Sequence, residues 1–426
     1  MLDRTIAPKI LSPVELNIQL PTVQQLTLKN NIPVYAFNGG AQEVCVVECV
    51  FYAGNWYEEK NIVAATTNFM LKNGTTSKNA FAINEHFEYY GAYLNRNCYN
   101  ETATLTLHTL TEYLPQLLPE MVELLRDSVF PEEELEVYKK TQKQRLAVNL
   151  QKCDFVANRL IDEYLYGLQH PYGKYTSTLD YDALTREDLV NFYHQFYING
   201  NCLIFVAGNL PKNLEELLNK TFGTLTVNKN SLPQKQHLVQ PQAEKKHFIV
   251  NDENGVQGAI RMATPFVNRH HPDFVKAQIL NTLFGGFFGS RLMSNIREDK
   301  GYTYGIHSYI QNHVQQTAWM ISTEAGREVC KATIEETYKE MELLSKEVVD
   351  EEELSLVRNF MLGTILGDLD GPFQIINRWK NYILNGVDEN YFYNSINTIK
   401  TITAEELQDL AKKYLQPNNF YELTVI

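Results

Sequence analysis

LTREDLVNFYHQFYINGNCLIFVAGN (residues 184–209) and ITAEELQDLAKKYLQPNNFYELTVI (residues 402–426) follow one pattern. In each, a threonine (Thr185, Thr403) stands three positions ahead of an acid (Asp188, Glu406). That is the spacing of a helix-starting capping box, full in the second copy and approximate in the first. Both helical patterns then run through an Asn-containing turn (199–201; 418–419) into a β-rich stretch. The copies lie 218 residues apart. Upstream, EEEL at 132–135 returns at 351–354, an offset of 219, and each EEEL opens a long helical segment. Two matches at nearly one offset mark a duplicated domain; a solenoid would repeat every ~20–50 residues.

Working outward, each half carries the same order of elements. Strands come first (QEVCVVECVFYAG from Gln42; HFIVNDENG from His247 and GAIRMATPF from Gly258), then helices. Further strands follow (NETATLTLHTL from Asn100; GYTYGIHSYI and QTAWMISTEA from Gly301 and Gln316), then a long run of helices and the closing helix-to-strand step. Strands with segregated helices predict an α+β fold, each domain a mainly antiparallel sheet covered by helices. The boundaries expected are residues 1–226 and 247–426, joined by a polar, proline-containing linker at 227–246.

The 426 residues carry 38 basic and 51 acidic side chains, a net charge of −13, which argues against nucleic acid or an anionic membrane as the main partner. No apolar run approaches the ~20 residues that span a bilayer, and the N-terminal stretch lacks the basic-then-apolar order of a secretory signal. A cytoplasmic protein is expected. Six scattered cysteines, none in a C-x-x-C pair, predict reduced thiols; Cys45 and Cys49 share one face of a strand. The ten histidines form no ligand spacing, and His270-His271-Pro272-Asp273 reads as a surface helix entrance with Pro272 at the first helical position.

Nearly the whole chain resembles the pitrilysin, insulinase and mitochondrial processing peptidase clan of zinc peptidases. The resemblance rests on AGNWYEEKNIVAATTNFMLKNGTTSKN (from Ala53), FPEEELEVYKK, FVAGNL and LFGGFFGSRLMSNIREDKGYTYGI (from Leu283). Members of that clan carry H-x-x-E-H in the first domain and a further glutamate about 76 residues on. Aligned on Gly74-Thr75, those positions fall on Ala65, Asn68, Phe69 and Arg145. Two histidines at i and i+4 project from one helical face onto zinc, and the glutamate between them activates the metal-bound water. Ala65 and Phe69 offer no lone pair, Asn68 is a very poor base, and Arg145 sets a permanent cation against a dication. No zinc is therefore expected in this chain.

The second domain retains what the resemblance implies is a substrate-binding pair, in the pattern R-E-x-x-G-x-x-Y: Arg297, with Tyr304 seven positions on. Gly285, Gly286 and Gly289 form a side-chain-poor loop which a peptide backbone can approach, Ser290 is placed to cap the next helix, and Gly301 turns the chain into a strand. Arg297 and Tyr304 are expected to face one cleft, as donors to a carbonyl oxygen gaining negative charge. The resemblance implies the non-zinc chain of a heterodimeric peptidase, acting on peptides beside a homologous H-x-x-E-H chain that holds the zinc, and inactive alone. The alternative is a non-enzymatic scaffold or peptide-binding homologue.

Overall fold

A computed structural model describes residues 12–198, 202–226 and 235–426. It contains two compact units that are not contiguous in sequence. The first comprises Thr22–Ala243 with Gly371–Asn381; the second comprises Glu244–Asp370 and Tyr382–Ile426 with residues from the N-terminal stretch, of which 12–21 are described.

The first unit has strands β1 (Gln24–Thr27), β2 (Pro33–Asn38), β3 (Val44–Phe51), β4 (Tyr93–Cys98), β5 (Ala103–Leu110) and β6 (Cys202–Gly208). They form one sheet in the order β1-β2-β6-β3-β5-β4, antiparallel except where β2 runs parallel to β6. The central strand β3, VCVVECVF, is rich in β-branched residues and buries both its faces; Cys45 and Cys49 lie on the face shared with Val47 and Phe51. Helices α1 (Val63–Met70), α2 (Ala80–Tyr89), α3 (Leu114–Asp127), α4 (Glu132–Asn149), α5 (Cys153–Tyr166), α6 (Thr178–Ala183), α7 (Arg186–Tyr193) and α8 (Leu214–Lys220) cover the sheet.

The second unit has strands β7 (Lys246–Ile249), β8 (Gln257–Phe266), β9 (Thr303–Asn312), β10 (Thr317–Gly326) and β11 (Tyr421–Val425), in the order β7-β11-β8-β10-β9. Again all pairs are antiparallel except one, β7 with β11. Position for position this repeats β2-β6-β3-β5-β4 of the first unit, so the duplication is visible in strand pairing as well as in sequence. Its helices are α9 (Phe274–Asn281), α10 (Cys330–Lys346), α11 (Glu351–Gly367), α13 (Glu389–Thr401) and α14 (Ala404–Tyr414), with π-helical segments at Thr282–Gly286 and Met293–Asp299; α12 (Pro372–Leu384) belongs to the first unit as far as Asn381.

Both EEEL motifs open helices, α4 and α11, and put three acids in the first turn, where the amide dipoles favour negative charge. Both capping boxes are complete. Thr185 and Asp188 exchange hydrogen bonds at α7 just as Thr403 and Glu406 do at α14, so the shorter aspartate reaches as well as the glutamate. Pro272 precedes the helix rather than opening it: Asp273 is the cap position and α9 begins at Phe274.

The expected turn at 199–201 and residues 227–234 of the linker lie outside the described residues. Residues 235–243 of the linker belong to the first unit, whereas Glu244–Lys246 already belong to the second. Lys235 Nζ donates to the Tyr57 carbonyl at 2.7 Å, and the Gln240 and Gln242 amides donate to Tyr166 and Tyr164 at 3.0 and 2.9 Å. Among the described residues no helix is long and apolar enough to cross a membrane.

Candidate functional sites in the two units

In the first unit α1 carries Ala65, Asn68 and Phe69, three of the four positions that align with the clan's zinc motif. The helix starts at a left-handed Ile62 and is anchored by Glu58, whose buried carboxylate accepts from the Ile62 and Ala64 amides at 3.3 and 3.0 Å and pairs with Lys174 at 2.7 Å. Burial pushes the Glu58 carboxyl up, against the pull of Lys174 and the two amides. Ala65 is exposed. Asn68 is buried and its amide donates to the Thr104 carbonyl (3.1 Å) and the Tyr197 hydroxyl (3.2 Å), so it holds the helix to the sheet.

Phe69 faces Tyr138 of α4, with ring centroids 4.7 Å apart, and the Arg96 guanidinium lies 4.6 Å above its ring while donating to its carbonyl. Arg145 is exposed two turns beyond Tyr138 on α4. Burial pushes the Tyr138 phenol up, and Thr66 and the Arg145 and Arg96 charges oppose the rise. An aromatic pair flanked by two guanidiniums therefore stands at the aligned ligand positions. None of these groups is an imidazole, thiolate or carboxylate, and two are fixed cations, so a zinc ion does not fit this donor set. Among the described residues no three His, Cys, Asp or Glu side chains gather as a metal requires.

In the second unit Arg297 sits in the π-helical segment Met293–Asp299 and Tyr304 near the start of β9. The segment is fixed on both sides. Arg291, just before it, makes a two-pronged bond to Glu353 of α11 at 2.8 Å on each prong, and Asn295 donates to Glu340 of α10 at 2.7 Å. Gly301, at φ +65° with open space where a Cβ would stand, makes the turn into β9.

Two β9 residues, Tyr304 and Gly305, then stand opposite the single Glu324 of β10, between the pairs Thr303↔Ala325 and Ile306↔Thr323. This β-bulge is pinned by two hydroxyls. Thr303 Oγ1 donates to the Glu324 carbonyl (2.6 Å) and accepts from the Gly305 amide (3.1 Å), while Thr323 Oγ1 reaches Thr303 Oγ1 (2.8 Å) and the Gly305 carbonyl (2.9 Å). The bulge aims Tyr304 outward, 91% exposed, on an edge strand.

Arg297 and Tyr304 come together. The guanidinium carbon lies 5.2 Å from the Tyr304 ring centroid and 4.6 Å from that of Phe288, so the cation is held between two aromatic rings. It makes no hydrogen bond or ion pair to another described residue, which leaves its planar set of donors available to a ligand.

The glycine loop behaves differently from the expectation. Gly285 is buried within the π-helical turn Thr282–Gly286, where a Cβ would lie 2.7 Å from Ser308 Cβ on β9; it is small so that the turn can pack against the strand. Gly286 and Gly289 are exposed. Ser290 does not cap its helix through its side chain: the hydroxyl is buried with no hydrogen-bond partner among the described residues. Phe288, Arg96, Tyr138 and the Thr303–Thr323 pair were not singled out from the sequence. Phe288 stands inside the glycine loop 285–289, while the others meet their partners only through strand register or helix packing.

Comparison with known proteins accords with both halves. The family model described as insulinase (peptidase family M16) matches residues 37–170, and that described as the peptidase M16 inactive domain matches residues 183–361. Among curated relatives, an uncharacterized zinc protease YmxG of Bacillus subtilis is 22% identical over 92% of this chain and 95% of its own length. A non-peptidase homolog YmxG of Helicobacter pylori is 23% identical over 88% of this chain and 87% of its own. A crystal structure of a peptidase M16 inactive domain from Pseudomonas fluorescens superposes with a TM-score of 0.83 at 21% identity, covering 95% of this chain and 98% of that one. With two M16 models together spanning residues 37–170 and 183–361, and a sheet topology repeated in both units, the chain belongs to the insulinase family, peptidase family M16.

Proposed function

We propose that this chain is the non-zinc subunit of a two-chain peptidase, presenting Arg297 and Tyr304 to a peptide whose scissile bond is attacked at a zinc held by a homologous H-x-x-E-H chain. The observation that carries this reading is the Arg297 guanidinium, stacked between Phe288 and Tyr304 and free of any protein acceptor among the described residues. Pre-organised donors of this kind stabilise the oxygen that gains charge as a peptide carbonyl is attacked, and the bulge holds the phenol beside the cation before substrate arrives. Gly286 and Gly289 offer backbone that a peptide can approach. The cofactor of the reaction is then the partner's zinc, and the substrate is a peptide rather than nucleic acid or lipid. Six free cysteine thiols suit a reducing, cytoplasmic setting.

The test mixes the chain with an H-x-x-E-H homologue from the same source and follows peptide hydrolysis. Neither protein alone should match the mixture, and Arg297→Ala or Tyr304→Phe should each lower kcat/KM by about 10²–10³-fold. Full activity in both variants, or one tightly bound zinc in the lone chain, refutes the reading. A second reading, a non-catalytic peptide binder or scaffold, draws on the H. pylori relative described as a non-peptidase homolog. Micromolar peptide binding by the lone chain, with no homologue able to confer hydrolysis, is the result that favours it.

A further inference from the structure

Within the second unit a cleft of about 520 Å³ opens between the turn joining β8 to α9 and the start of α13, lined by Arg269, His270, Val387, Asp388, Tyr391 and Asn394. Its dominant feature is a cation without a counter-ion among the described residues. Arg269 is only partly exposed, and burial works against its charge, offset by the nearby phenols of Tyr391 and Tyr382. Among the described residues no carboxylate lies within ion-pair distance of it. With the Asn312 amide oxygen turned toward it, that oxygen accepts from Nε at 3.3 Å and from Nη2, which fixes the guanidinium plane and leaves Nη1 unused.

The nearest candidate acid is already engaged. Asp388 caps α13, one oxygen accepting from the Asn390 amide at 3.0 Å and the other from the Asn390 side chain at 2.9 Å. Asn394 makes no side-chain hydrogen bond to a described residue, so a donor and an acceptor remain on offer a turn along the helix.

We propose that this cleft binds the C-terminal carboxylate of a short peptide, with Arg269 as its anchor and the Asn394 amide meeting a peptide bond. A half-buried guanidinium with a fixed plane is matched by a planar carboxylate through paired N–H···O bonds. One available cation beside a capping aspartate suits a singly charged group better than a phosphate dianion. The volume falls in the ~300–1,000 Å³ range of small-ligand sites, enough for two or three residues. This site is separate from Arg297 and Tyr304 and does not depend on their role.

The probe is an N-acetylated tripeptide as free acid, as C-terminal amide, and against inorganic phosphate, titrated into the full chain by calorimetry. Saturable binding of the acid is expected, about tenfold or more tighter than the amide. Arg269→Gln should abolish that preference, Arg269→Lys should keep part of it, and Asn394→Ala should weaken acid and amide alike. Arg269→Gln leaves Arg297 and Tyr304 in place, so loss of the acid preference in that variant separates this result from any failure at the Arg297 site. Equal binding of acid and amide, wild-type affinity in a folded Arg269→Gln, or phosphate binding more tightly than the acid overturns the proposal. If Arg269→Gln fails to fold, Arg269→Lys and Asn394→Ala carry the test, and wild-type affinity in both overturns it.

Discussion

At the first-unit motif four side chains decide against zinc, and Arg145 weighs more than its single place in that count suggests. Ala65 and Phe69 remove ligands and Asn68 removes a base, yet those changes are subtractive; Arg145 adds a positive charge that repels a dication. Ala65→His, Asn68→Glu and Phe69→His together should therefore leave zinc binding weak, and adding Arg145→Glu should allow one zinc per chain. Elemental analysis after dialysis against zinc compares the two variants; equal occupancy would show that Arg145 is irrelevant. His170 gives a second consequence at this scale. It is 1% exposed, its Nδ1 accepts from the Tyr172 amide at 3.2 Å, and its ring lies 5.9 Å from that of His237. Burial first, then the His237 charge, pushes it down from 6.5 to about 4. The folded value lies below the unfolded one, so the unfolded chain takes up the proton first on acidification. Stability from neutral His170 is complete above its unfolded value of 6.5 and drains away as pH falls toward about 4. Lys174 and Lys235, which help to lower His237, add cations to the same region. Wild type should lose on the order of 2–3 kcal/mol more than His170→Gln between neutral pH and pH ~4, read as the difference in denaturant midpoints.

Among the elements, the bulged start of β9 is the piece on which the proposed chemistry turns. Removing one hydroxyl of its pin, by Thr303→Val or Thr323→Val, strands the partner groups and should cost about 1–3 kcal/mol. The specific effect is on geometry: the Tyr304 ring should leave the Arg297 guanidinium. In protein labelled with ¹⁵N-arginine, the Arg297 Nε resonance, shifted by two flanking rings, should move toward its position in Tyr304→Ala. Thr403→Ala, which removes the α14 cap at a cost of about 1 kcal/mol, should leave that resonance in place. A resonance that stays put in both valine variants would detach the bulge from the pair. The same element shows where sequence reading stops. Gly301 and the seven-residue spacing from Arg297 to Tyr304 are local features and can be read directly. The bulge is a mismatch of register between β9 and β10 that exists only once Thr323 and Glu324 are paired alongside. Likewise Phe69 is legible as a lost ligand, but its new neighbours Arg96 and Tyr138 come from β4 and α4 and carry no short-range signal. Ser290 looked like a cap because caps are read from residue type, whereas the structure buries its hydroxyl without a hydrogen-bond partner among the described residues.

For the whole molecule, the duplication was legible because both copies kept their helix starts, EEEL and the Thr-x-x-acid box, where residue type is tied closely to backbone geometry. What the two copies exchange is not written in either pattern. Residues 12–21 pack in the second unit, where Ile18 and Leu20 are each 5% exposed and Lys400 Nζ donates to the Leu16 carbonyl at 2.7 Å. Residues 371–381 belong to the first, where Lys380 meets Glu48 at 2.6 Å and Glu48 is only 8% exposed. Cutting the chain between Ala243 and Glu244 should therefore not yield two independent domains. The fragment 1–243 keeps Glu48 without its cation, a partly buried charge left uncompensated at a cost of about 3 kcal/mol. The fragment 244–426 loses the apolar side chains of 12–21, each fully buried residue of that size contributing about 1.5–3 kcal/mol. Against a typical total of ~5–15 kcal/mol such losses are large. Each fragment alone should melt well below the intact chain or fail to melt cooperatively, and co-expression should recover a single complex with near-native stability. Within the intact chain, Lys380→Met should be more destabilising than Lys380→Met combined with Glu48→Gln, because the double variant leaves no charge stranded. Two fragments that each unfold cooperatively at the native midpoint would mean that the exchanged segments are ornaments on two self-sufficient domains.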